Sequence, residues 1–125
     1  MQSSRDRYFE PASEHIVHKV IDDELMVINL ENGFYYSADG LASGIWQSAV
    51  GGRNEGAILE DLAVAYPGQP ELETHVSGFL DQLLQHGLVK QVPTARVSDA
   101  GPVSWPERYA PPKIDCHDDV AQIVA

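Results

Sequence analysis

Five histidines, one cysteine and an excess of carboxylates are the side chains through which this chain could do chemistry. His15 and His18 stand three apart in a segment of strand character, so alternation turns them to opposite faces and they cannot share an ion. His75 and His86 fall on a similar face of a helical segment, but the rise between them separates their backbones by about 16 Å. Cys116, His117, Asp118 and Asp119 are consecutive. Neighbours in a tail rarely converge on a metal, and no second cluster exists to complete a tetrahedral ligand set. Cys116 as a nucleophile needs an ordered base and a pocket, which the sequence does not supply. The other carboxylates are spread as a solvated surface, and there is no glycine-rich phosphate loop. The residues therefore predict no enzyme, no metal and no cofactor. What remains is recognition.

Length and charge narrow the partners. A chain of 125 residues is one domain with a modest core. Its net charge is −11, and within 15–90 only Lys19, Arg53 and Lys90 oppose eleven acidic residues. Such a surface repels phosphate backbones and anionic lipid and favours basic or amphipathic polypeptides. The expectation is no nucleic acid and no membrane. A single cysteine fits a reducing compartment. The first residues carry charge without an apolar run behind them, so no signal peptide is expected and the cytoplasm is the predicted location.

The elements that must position a binding surface follow in order. Residues 1–14 are polar, hold Pro11 and show no periodicity, and read as a flexible arm. Residues 15–21 form a first strand, and Asp22-Asp23 a turn. Residues 24–30 form a second strand, apolar on both faces and so central. Asn32-Gly33 is a strong hairpin signal because both residues tolerate positive φ. It launches a third strand over 34–37, left at the sheet edge. Asp39 caps a first helix carrying Leu41, Ala42, Ile45, Trp46 and Ala49, which Gly51-Gly52 ends. Asn54 caps a second, with Ile58, Leu59, Leu62 and Ala63 inward, broken at Pro67-Gly68. Pro70 opens a third, with Glu71 and Glu73 in its first turn. Leu72, Val76, Phe79, Leu80, Leu83 and Leu84 form its stripe, and Gly87 stops it. Leu88 and Val89 fold back against the sheet. All periodic apolar positions lie in 15–90, so that span is expected to fold without arm or tail. The prediction is an α+β, winged-helix-like domain over 15–92, a three-stranded antiparallel sheet followed by three helices. A linker covers 93–108 and a tail 109–125. A winged helix raises the possibility of a DNA-binding regulator, but the third helix carries acids and no Lys or Arg, which argues against phosphate contact.

The wording of "HKVIDDELMVINLENGFYYSADGLASGIWQ", with "FLDQLLQHGLV" after it, resembles the PqqD-like family. These are the recognition elements for precursor peptides that are made on the ribosome and then modified. The resemblance implies a non-catalytic module that holds the leader of a precursor peptide in a cleft between third strand and third helix. It presents that leader to a modifying enzyme of radical-SAM, protease or cyclase type. An edge strand offers a row of backbone donors and acceptors that an extended peptide completes. The expected peptide-binding residues are Gly33, Phe34, Tyr35, Tyr36 and Ser37 on the strand side. On the helix side they are His75, Val76, Phe79, Leu80 and Leu83, several of which also serve the core.

The tail adds a second pattern. Tyr109, Pro112 and Ile114 have the spacing Tyr-x-x-Pro-x-aliphatic, which resembles the leader motif of lasso-peptide precursors. Asp118 stands where that motif has a small residue. An ordinary proline-containing linker before a short amphipathic end accounts for the same residues. A leader-like tail implies docking along the third strand of its own domain, or of another copy to give a homodimer by tail exchange. It also leaves open that the chain is itself a substrate or a self-regulating protein.

Overall fold

The computed structural model describes residues 7–22, 24–93, 103 and 105–117. Strand β1 (Tyr8–Pro11) is followed by β2 (Ile16–Ile21), β3 (Glu24–Asn29) and β4 (Tyr35–Asp39). Helices α1 (Leu41–Val50), α2 (Glu55–Ala65) and α3 (Leu72–Gln85) come next, then β5 (Val89–Val92) and β6 (Asp115–His117). The class is mixed α+β with three helices, but six strands form where three were expected. They make a four-stranded sheet ordered β2-β3-β4-β6 and a two-stranded sheet of β1 and β5, with every pairing antiparallel.

The hairpin between β3 and β4 forms at Asn32-Gly33 by a division of labour. Gly33 adopts a φ of 80°, while Asn32 keeps an ordinary φ and accepts the Phe34 N–H on its side chain at 2.9 Å. Asn29 closes the loop on both sides, donating to Phe34 O and accepting from Gly33 N, each at 2.9 Å. This loop ends β3 one residue early and starts β4 one residue late, and β4 runs on to Asp39. Leu30 leaves β3 and is 61% exposed, and Phe34 precedes β4 at 37% exposed. On the earlier turn Asp22 sits at φ 52°, a left-handed conformation that Asp tolerates better than most residues.

Helix starts differ in how well their caps were legible. Asn54 caps α2 as expected, its Oδ1 accepting from Ala57 N at 2.8 Å. Asp39 is instead the last residue of β4, and the cap position of α1 is Gly40, with φ 55° and no side-chain cap. Pro70 lies outside α3, and Glu71 is its cap in the left-handed region at φ 61°. Ala63, expected inward, is exposed.

Trp46, Ile45, Leu25, Val27, Ile58, Leu62, Val76, Leu80, Leu83 and Leu88 are fully buried in one cluster beneath the larger sheet. Phe9 of β1 belongs to it at 0% exposure. The supposed arm therefore contributes a strand and a core side chain. The sequence hid this because four residues ending in proline show no periodicity. Leu88 and Val89 are buried as expected, but β5 pairs with β1 rather than with the main sheet. Arg7 fixes this corner: its guanidinium meets Glu55 of α2 at 2.5 Å and Asp81 of α3 at 2.7 Å. Glu55 is fully buried and also accepts from Ser77 Oγ at 2.9 Å. Burial opposes the charge on Arg7, but its bonds to Asp81 and Glu55 outweigh that and raise its pKa.

Candidate peptide-binding site

Strand β4 is where sequence and structure meet. Its inner edge is fixed by β3, with Val27 opposite Tyr36 and Met26 opposite Ser37. Its outer edge is not free. The chain's own β6 completes the ladder, with Tyr35 opposite His117, Tyr36 opposite Cys116 and Ser37 opposite Asp115. The third strand of the meander is thus interior, a correction to its expected edge position, and the partner is the tail.

Alternation divides the expected strand residues. Tyr36 points into the core, 2% exposed, with its ring 5.3 Å from that of His86 at the end of α3. Burial raises the Tyr36 pKa, and the neighbouring Cys116 adds to the shift. Tyr35 and Ser37 take the opposite face. Tyr35 stacks on His117 at 4.5 Å, and Ser37 Oγ lies 3.2 Å from His117 Nε2. Gly33 belongs to the loop, and Phe34 stands outside the strand. Val76, Phe79, Leu80 and Leu83 are no more than 1% exposed and belong to the core. His75 alone of the expected helix residues meets the tail through a polar atom.

The tail follows a continuous track over the helices before it reaches β4. Trp105 lies on α1 where Gly44 leaves room, since a Cβ built there would fall 2.6 Å from the indole ring. Pro106 sits 3.4 Å from a Cβ built on Gly40, and its carbonyl accepts from Tyr66 OH at 2.5 Å. Tyr109 is next. Its hydroxyl meets His75 Nδ1 at 2.6 Å, its ring stacks on His75 at 5.8 Å, and its edge meets Tyr66 at 5.4 Å. Burial raises the Tyr109 pKa, with Tyr66 adding to it, and burial raises that of Tyr66. Pro112 lines a cleft with Gly40, Leu41 and Ala42 at the start of α1. Trp105, Tyr109 and Ile114 all pack against the core. Asp118 lies outside the described residues, as does most of the expected linker.

Sequence reasoning missed Gly44, Tyr66, His86 and His117. Gly44 carried a signal: a glycine within a helix whose neighbours are all apolar or small marks a close approach. Tyr66 stands between the end of α2 and the Pro67-Gly68 break, where no local pattern sets it apart. Nothing in the sequence marked His117 as a cross-strand partner of Tyr35. Among the described residues no three His, Cys, Asp or Glu side chains gather as metal ligands, and no helix is long and apolar enough to cross a membrane.

Residues 24–89, just over half of the chain, match the family described as Coenzyme PQQ synthesis protein D (PqqD). The chain belongs to the PqqD family. The PqqD match takes in β3, β4 and all three helices, and it stops short of the tail. The fold is also similar to the solved structure of TbiB1 in complex with the TbiA(beta) leader peptide. The two share 27% sequence identity at a TM-score of 0.59, over 65% of this chain and 94% of that one. No curated protein matches the sequence.

Proposed function

We propose that this chain is a non-catalytic module that holds the leader of a ribosomally made precursor peptide by β-augmentation and presents it to a modifying enzyme. The observation that carries this reading is the ladder at β4, which accepts an added antiparallel strand on the side away from β3. Membership of the PqqD family and likeness to a leader-bound relative support it. Main-chain bonds supply affinity that is indifferent to sequence, and side-chain contacts beside the strand supply selection. Here those contacts centre on His75 and Tyr66. The partner enzyme would be of radical-SAM, protease or cyclase type, acting in the cytoplasm on a substrate whose local concentration the module raises. In this reading three helices behind a meander form a winged-helix-like domain over 15–92, to which β1 adds its strand. A DNA-binding regulator is disfavoured, because α3 exposes Glu73 and Asp81 and carries no Lys or Arg.

The test uses a synthetic leader peptide of the form Tyr-x-x-Pro-x-aliphatic and amide exchange on the full-length protein. Binding should leave the amides of β4 protected and perturb α3 around His75. With the tail anchors removed by Tyr109→Ser/Ile114→Ser, so that the tail does not compete, His75→Ala should weaken the leader by about 1 kcal/mol, the size of one net hydrogen bond, whereas Asp61→Ala on α2 should not. Equal effects from both would place the binding surface elsewhere. A second reading, in which the chain is itself a substrate with a fused leader, is favoured by the seating of Tyr109 and Ile114. A mass change in the tail on co-expression with neighbouring enzymes would establish it.

A further inference from the structure

The outer edge of β4 carries a ladder, and the strand that makes it belongs to the same chain. We propose that segment 105–117 is a resident ligand that closes the β4 edge to strands offered in trans, so that release of the tail precedes capture of a peptide. As regulation of leader binding, this rests on the function proposed above; as a statement about the edge, it does not.

The segment is held at separated points, each of which uses a feature of the domain. Gly44 provides the shelf for Trp105, and any side chain there collides with the indole. Tyr66 OH donates to Pro106 O, and His75 receives the Tyr109 phenol between itself and Tyr66. Ile114 packs on the core, and β6 then pairs with β4 through His117, Cys116 and Asp115. Tyr109 and Ile114 are two of the three positions of the leader-like motif read from the sequence, and the third, Pro112, lines the cleft at the start of α1. Each polar contact is modest, but the tether removes most of the association cost. Val103 follows Pro93 by ten residues, a tether short enough for a local concentration in the millimolar range. A ligand arriving from solution must compete with that.

A binding-competent fraction of about a tenth lowers apparent affinity about tenfold, and that is the expected effect. The probe is a fluorescein-labelled peptide of residues 107–117, which lacks Trp105. It is offered to the full-length protein, to Gly44→Ala and to the double variant Tyr109→Ser/Ile114→Ser. Gly44→Ala displaces Trp105 from a helix that accepts alanine readily, and the double variant removes the anchors without altering the domain. Thermal unfolding confirms that each variant is folded. Both should bind the probe about tenfold more tightly than the unaltered protein. Equal affinity for all three proteins would overturn the proposal. Probe affinity that falls as the unaltered protein is concentrated would assign the segment to a second copy and overturn the intramolecular form. The synthetic leader peptide is then added as competitor. If the released variants bind the probe and the leader never displaces it, the resident strand stands and the leader-binding function falls. If the leader binds all three proteins equally, the function stands and the closure falls.

Discussion

Glu55 is fully buried, and its carboxylate is shared between Arg7 and Ser77. Removing one partner of such a pair leaves a charge without compensation in a dry site, a cost of about 3 kcal/mol. Arg7→Ala should therefore lower stability by that amount in denaturant titration, far more than loss of the exposed Arg53–Asp61 pair. His18 provides a pH test. Its ring meets Trp46 edge-on at 5.5 Å, and burial of that inner side lowers its pKa although its outer edge is exposed. A depressed pKa means that the folded state prefers the neutral ring. Its contribution is present above the unfolded value of about 6.5 and is lost as pH falls through the folded one. Stability should decline as pH falls below about 6.5, and His18→Gln should remove that part of the slope. Tyr109 works in the other direction. Its raised pKa means that docking is complete below the free phenol value of about 10 and weakens as pH rises through the docked one. The tail should loosen at alkaline pH in the unaltered protein when amide exchange of β6 is followed. Tyr109→Phe should remove its part of that dependence, while the part from Tyr66, which is also raised and holds Pro106, remains.

At the scale of elements, β1 decides where the domain begins. Phe9 is fully buried and its strand pairs residue for residue with β5 from Tyr8 to Pro11. A chain beginning at residue 15 loses that side chain and that ladder, and truncating a buried Phe alone costs about 3–5 kcal/mol. Such a fragment should lose its cooperative thermal transition, whereas one beginning at residue 7 should keep it. The meander and three helices were legible because each rests on local signals: Asn32-Gly33 for the hairpin, Asn54 for the α2 cap, the Val76–Phe79–Leu80–Leu83 stripe for α3. The missing strands rest on long-range pairing. The residues of β1 find partners some eighty positions away, and those of β6 likewise, so nothing within a local window marks them. The cleft was legible in part for the same reason. Tyr36 and His75 could be placed by period, but Tyr35, Ser37 and their contacts with His117 depend on a strand three residues long.

For the whole molecule, the order β2-β3-β4-β6 has an asymmetry with consequences for assembly. The tail covers one end of that sheet, while no described strand covers β2. Its outward residues Val17 and Ile21 are 40% and 57% exposed, with Lys19 between them as the charge that discourages pairing. In the language of polymerisation, each molecule is monofunctional with respect to this sheet. Two copies that meet through β2 form a closed pair about a two-fold axis, and growth terminates there. A molecule whose tail has left is bifunctional, because β4 now offers a second reactive end and addition can continue. Light scattering at rising concentration should thus plateau at or below the dimer for the intact protein and climb without plateau for the Gly44→Ala variant. Lys19→Val should steepen that climb. In the resting state the tail is the chain stopper of its own sheet.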